Sequence, residues 1–134
     1  MNISKILSFE HVLAKFRFFL APFISRHRTV FCQGLEFKVD LSNYPQRCLW
    51  AYKSLNEKDE MEVFSKFLKR GDTFVDVGAN AGLYSKVATR LVGDNGRVIA
   101  FEPDKNALPS LYKNLSDFPG KEIFESYVDE KSGV

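Results

Sequence analysis

Along the first twenty residues Ile6, Phe9, Leu13, Phe16 and Leu20 recur at spacings of three and four, which places them on one face of a helix that Pro22 ends. The back of this amphipathic helix is basic, with Lys5, Lys15 and Arg17. Such a stripe either docks the helix on the rest of the protein or gives residues 5–20 a weak peripheral contact with an anionic membrane surface, and the spacing does not choose. The period then changes to two. In "LEFKVDL", Leu35, Phe37, Val39 and Leu41 alternate with Glu36, Lys38 and Asp40, and a turn at Gln33 and Gly34 joins this segment to "TVFC", predicting a hairpin over 29–41 with one face covered. "LSNYPQRCLW" reads as a loop broken by Pro45, in which Trp50 and Tyr52 serve packing.

A well-marked helix follows. Asn56 is its N-cap, Glu57, Asp59 and Glu60 load the first turn, Met61, Phe64, Phe67 and Leu68 form the apolar stripe, and Lys66, Lys69 and Arg70 precede Gly71. Acids first and bases last match the helix dipole, so these charges need no catalytic role. After Asp72 strand and helix alternate. "TFVDV" has the nearly all-apolar character of a strand buried on both faces of a parallel sheet. "GLYSKVATRLV" places Leu83, Val87 and Leu91 one turn apart on a covering helix, and "GDNG" is a turn. "RVIAFE" is a second buried strand ended by Pro103, a helix with Pro109 in its first turn runs to about Leu115, and "EIFESYV" is a third strand. The order β-α-β-α-β predicts an α/β protein: the first half of a doubly wound, Rossmann-like sheet, preceded by an N-terminal amphipathic helix and a β-hairpin. Three regions result, a basic helical segment over 1–28, a hairpin and lead-in over 29–56, and a partial Rossmann-like domain over 57–134.

Composition bounds the partners. A content of 45% hydrophobic and 14% aromatic residues suffices for a core and excludes a disordered chain. The formal charge of +2 is too small for a surface that neutralises phosphates, which predicts no nucleic-acid partner. The excess is local: residues 1–31 carry five basic residues against Glu10, a net of +4 that leaves the rest at −2. Cys32 and Cys48 are too few for a disulfide framework or a zinc site, so no metal is expected and both read as reduced thiols of a cytoplasmic protein. The charges interrupting residues 5–17 leave no apolar run of the ~18 residues a membrane span needs, and no signal-peptide core is followed by a small-residue cleavage site.

The chemistry gathers at "FVDVGANAG", Phe74 to Gly82. In a parallel sheet, the loop between a strand and the next helix is where ligands sit. Gly78 and Gly82 let the backbone turn sharply and come close to a ligand, Asn80 tolerates the left-handed region, and the amides opening the next helix favour an anionic group. Asp76 stands before the loop, and Glu102 ends the second strand 20 residues after Gly82, close to the ~20-residue spacing at which an acid reaches ribose hydroxyls. The plainer alternative makes Asp76 a loop cap and Glu102 an exposed residue before a proline. The joint occurrence of strand, acid, G-x-N-x-G, helix, strand and acid favours a nucleoside site. The loop lacks the G-x-G-x-x-G of dinucleotide sites, which makes an NAD-type half-domain the lesser choice. An acid for an amine and helix amides for a carboxylate suit S-adenosylmethionine, which carries both groups.

These residues resemble a known family. "GDTFVDVGANAGLYSKVATRLVGDNGRVIAFEPDKNALPSLYKNL" is similar to the cofactor-binding half of S-adenosylmethionine-dependent methyltransferases, specifically the FkbM family, through Gly71, Asp72, Asp76 to Asn80, Gly82 and Tyr84, then Gly96, Val98, Ala100, Phe101, Glu102 and Pro103. The resemblance implies a Rossmann-like methyltransferase sheet. It implies that Asp76, Gly78, Asn80 and Gly82, with Ala79, Tyr84 and Pro103 completing the motif, surround the methionine part of the cofactor, and that Glu102 binds its ribose. An acid after the third strand, Asp129 in preference to Glu130, would face the adenine. It further implies methyl transfer to oxygen on a small-molecule or glycan hydroxyl acceptor. Family members extend their sheet beyond the third strand, so the chain is expected to be a truncated product with its catalytic residues beyond Val134; His11 and His27 are expected at the surface. The competing expectation is a non-catalytic remnant or interaction module that keeps the nucleoside-binding fold.

Overall fold

The computed structural model describes residues 3–32, 34–52 and 58–129. Gln33, Asn56, Glu57 and Glu130 lie outside the described residues, as do the side chains of Ile6, Phe9, Asp59, Glu60 and Met61. The chain divides into two compact units, Met1–Leu55 and Asn56–Val134.

In the first unit, helix α1 (Ile3–Leu20) runs into a short 3-10 turn (Ala21–Phe23) that holds Pro22. Among the described side chains, the carboxyl-terminal part of the expected stripe is not the packed face. Ala14 and Ala21 are buried at 5% and 2% exposure, whereas Phe16 and Leu20 remain 60% and 39% exposed. Small side chains let α1 lie close on helix α2 (Tyr44–Tyr52), where the Phe18 ring meets Tyr44 edge-on at 5.6 Å and Arg47 stands 5.3 Å above Phe18. The segment read as a loop is therefore a helix. Asn43 accepts the Gln46 amide at 3.3 Å, and Pro45 falls in the first turn, where its missing N–H has no helical partner to lose.

The hairpin pairs β1 (His27–Cys32) with β2 (Leu35–Asp40) in antiparallel register, Val30 opposite Phe37. Phe37, Val39 and Leu41 are buried as the alternation requires. Asp40, expected on the open side, is buried as well. Arg26 Nε donates to both of its carboxylate oxygens at 2.8 Å, and Ser42 donates from N–H and Oγ at 2.9 and 2.7 Å. The Arg26 guanidinium beside it holds this carboxyl far below the usual carboxylate range.

In the second unit, helix α3 (Lys58–Phe67) precedes three parallel strands, β3 (Thr73–Val77), β4 (Arg97–Phe101) and β5 (Lys121–Phe124), in the order β3-β4-β5. Helices α4 (Leu83–Val92) and α5 (Leu108–Asn114) make the crossovers. This is the α/β, half-doubly-wound architecture the alternation predicts. Two details differ. Helix α4 buries Ser85, Ala88 and Val92, while Leu83, Val87 and Leu91 stay half-buried. Strand β3 is covered on one face only, with Val75 and Val77 51% and 63% exposed. Right-handed crossovers between strands that advance in one direction put α4 and α5 on the same side of the sheet. Beneath them, Ala79, Ala100, Leu108, Leu111 and Leu115 form one apolar cluster, and Ala88, Val92, Val98 and Phe118 another.

Candidate functional site

Register brings the two acids together. Val77 pairs with Phe101, so the loop after β3 begins level with the end of β4. There the amides of Gly78 and Ala79 both donate to the Phe101 carbonyl, at 2.9 and 3.0 Å, and fold the chain back across the end of the sheet. The Gly82 amide donates to the Ala79 carbonyl at 2.7 Å and closes a tight turn. Gly78, Asn80 and Gly82 all have positive φ, at 80°, 50° and 74°. A Cβ on Gly82 would stand 2.6 Å from Leu111 Cδ1, so both the conformation and the packing on α5 require glycine. At Gly78 a Cβ would meet nothing within 4 Å, which leaves open space beside the backbone.

Glu102 is buried at 5% exposure and grips this loop. Its Oε2 accepts the Asn80 amide at 2.6 Å and its Oε1 accepts the Asp104 amide at 2.7 Å. It is thus not the exposed pre-proline residue of the plainer reading. Each oxygen keeps further lone-pair capacity for a ligand hydroxyl. Asp76 is buried at 7% and its Oδ2 accepts from Ser85, at 2.6 Å from Oγ and 3.1 Å from N–H. Burial pushes its carboxyl above the usual value, the Ser85 hydrogen bonds oppose the shift, and the nearby Glu102 charge adds to it.

The structure thus brings together Asp76, Gly78, Ala79, Asn80, Gly82, Glu102 and the half-buried Pro103 at the carboxyl ends of β3 and β4. Tyr84 is the second residue of α4, with its ring edge-on to Phe64 at 5.5 Å. Asp129 is exposed beyond β5. Two supporting residues escaped the sequence reading. Ser85 holds Asp76, and Asn114 on α5 donates from Nδ2 to the Ala81 carbonyl at 2.8 Å. Ser85 sits in the first turn after the loop, a visible signal; Asn114 lies 33 residues from Ala81 and gives none. Away from this loop, a cavity of about 230 Å³ lies by Arg70 and Asp94 before β3 and β4, and one of about 360 Å³ runs from there along α4 to Asn114.

No family model matches the chain. Among solved structures it is similar to M. jannaschii TYW2 in complex with AdoMet, with a TM-score of 0.61 at 16% identity over 82% of this chain and 47% of that one. It is also similar to P. horikoshii TYW2 in complex with MeSAdo, with a TM-score of 0.58 at 18% identity over 83% and 39%. The fold is the Rossmann-like one of these AdoMet- and MeSAdo-bound structures. In sequence, ribosomal RNA large subunit methyltransferase E of Acinetobacter baumannii is 37% identical over 84 residues, 62% of this chain and 37% of that protein. Its namesake from Psychrobacter sp. is 33% identical over 88 residues, 65% and 39%. The chain therefore spans less than two fifths of the length of these methyltransferases.

These relatives correct the expected partners. A small-molecule or glycan acceptor with no nucleic acid does not agree with relatives named for ribosomal RNA. The charge argument failed because it judged a phosphate-binding surface by the net of +2, although the basic excess was already local to the N-terminus. Residues 1–55 carry eight Lys and Arg against three acids, a net of +5, while residues 56–134 carry eleven against fourteen, a net of −3. Among the described residues no helix is long and apolar enough to cross a membrane.

Proposed function

We propose that residues 56–134 bind S-adenosylmethionine at the Gly78–Gly82 loop and form the cofactor-holding part of a methyltransferase whose acceptor is RNA. The loop carries the reading: three left-handed residues with open space beside Gly78, clamped by Glu102 and backed by Asp76 at the carboxyl ends of two parallel strands. The donor set fits the ligand. Asp76 and the first amides of α4 suit an amine and a carboxylate, and the unused lone pairs of Glu102 suit ribose hydroxyls. Gly78, Ala79, Asn80 and Gly82 would line the methionine part, Tyr84 and Pro103 border it, and Asp129 would face the adenine. Once bound, the cofactor supplies a methyl group activated by its sulfonium charge; the chain's own part is to bind and orient it.

RNA as the acceptor is supported by the names of the relatives, and their being enzymes favours catalysis over a non-catalytic module. The finer grouping, an FkbM-type sequence, is supported by the run from Gly71 to Tyr84 and by Phe101-Glu102-Pro103. Titration calorimetry tests the cofactor. S-adenosylhomocysteine binds, NAD does not, and Glu102→Ala weakens binding at least about tenfold, on the order of 1.4 kcal/mol. Binding of NAD in place of S-adenosylhomocysteine overturns the reading. For the acceptor, filter binding is expected to retain unmodified ribosomal RNA on the chain; retention of a polysaccharide control and of no RNA would refute it.

A further inference from the structure

We propose that one face of α1 and the turn after it is a docking surface for single-stranded RNA, an inference that rests on RNA being the acceptor class. Val12, Phe16, Phe19 and Phe23 follow one another at four, three and four residues and are 62%, 60%, 81% and 82% exposed. At 100° per residue Val12, Phe16 and Phe19 share the side of α1 opposite the buried Ala14, and Phe23 follows in the 3-10 turn, beside the buried Ala21. Three phenylalanines in one exposed row form the kind of apolar patch that marks an interaction site. Lys15, three residues after Val12 and four before Phe19, borders the row and is exposed.

Charge selects the occupant. The unit carrying this row has a net charge of +5. Within its hairpin, Asp40 is paired with Arg26 and Glu36 with Lys38. Among the remaining described side chains, Lys15, Arg17, Arg28 and Arg47 face Glu10 alone. A second copy docking through the same unit would set +5 against +5, and the −3 of residues 56–134 is far less charge than a nucleic acid offers, so a polyanion is the better complement. Phenylalanine faces stack bases of any sequence, each worth ~1–3 kcal/mol, while Lys and Arg follow the phosphates. An anionic membrane is the other polyanion; the relatives named for ribosomal RNA favour the nucleic acid.

Anisotropy with a labelled single-stranded RNA of about 20 nucleotides tests the surface on the full chain, since single-stranded sites span several nucleotides. Phe16→Ser/Phe19→Ser/Phe23→Ser is expected to lower RNA affinity at least about 30-fold and Lys15→Glu about threefold, both with S-adenosylhomocysteine affinity unchanged. Equal RNA affinity in wild type and triple variant overturns this surface and leaves RNA as the acceptor. A wild-type chain that binds S-adenosylhomocysteine but no RNA overturns both. Binding to phosphatidylserine vesicles that the triple variant loses, with RNA binding retained, assigns the row to lipid and overturns the inference. If the triple variant does not fold, Lys15→Glu decides, and an unchanged RNA affinity in it sinks the inference.

Discussion

Asp40 in the first unit and Asp76 in the second are almost equally hidden, at 4% and 7% exposure, yet the protein holds them in opposite ways. Asp40 meets a guanidinium, a hydroxyl and an amide, and its carboxyl is held well below the ordinary range, chiefly by Arg26. Among the described residues Asp76 meets only the neutral donors of Ser85, and burial raises its carboxyl. The first is a lock whose charge is answered inside the fold. The second is a buried carboxylate whose charge is disfavoured, which is the state expected of a group that waits for a partner from outside. The contrast separates a carboxylate that stabilises from one that serves a ligand.

Breaking the lock has the largest expected effect. Asp40→Ala leaves Arg26 and Ser42 without their acceptor and should cost about 2–3 kcal/mol. Trp50, the single tryptophan and a residue of the same unit, reports this in urea titration. A shift below about 0.5 kcal/mol would class the pair with ordinary surface ion pairs. Next comes the loop beside Asp76. Gly82→Ala combines a φ of 74° with a contact of 2.6 Å to Leu111 and should cost about 2 kcal/mol and most of the cofactor affinity. Gly78→Ala, with a φ of 80° and open space, carries only the backbone part, about 1 kcal/mol. Amide exchange in β3 and β4 measures both, and equal losses would mean that packing on α5 does not shape the loop.

What the sequence made legible was local. Gly78, Asn80 and Gly82 announce left-handed backbone by residue type, and the alternation of strand and helix puts Glu102 beside them. What escaped depended on distance or on size. Helix α1 buries Ala14, and α4 buries Ser85 and Ala88 beside Val92, while Leu83, Val87 and Leu91 stay half-buried, because close approach favours small side chains. Asp40 reads as a solvent-facing strand residue until Arg26, 14 positions away, is placed against it. Pro45 looks like a breaker until Asn43 is seen capping the helix that Pro45 opens. The basic N-terminus was legible too, but the +5 of residues 1–55 and the −3 of residues 56–134 partly offset each other in the net of +2.

The smaller effects test the contrast most directly. Ser85→Ala removes one hydroxyl donor from Asp76 and should cost about 1 kcal/mol, raising the Asp76 carboxyl further. Asp76→Asn should change stability at neutral pH by less than about 1 kcal/mol, in either direction, while cofactor affinity falls at least about tenfold. The pH dependence follows from the two shifts. The raised Asp76 value means that its ionised form opposes folding, an effect complete above the folded value and fading as pH falls toward the unfolded value near ~4. The lowered Asp40 value means that its contribution is complete above ~4 and is lost as pH falls further. Acidification from neutral to about pH 4 should therefore favour β3 and β4 while leaving the Trp50 transition in place, and below that the Trp50 transition should weaken. Asp76→Asn should abolish the first trend and spare the second. If it instead destabilises β3 and β4 by more than about 1 kcal/mol at pH 7, the Asp76 charge serves the fold as that of Asp40 does, and the distinction between lock and ligand group fails.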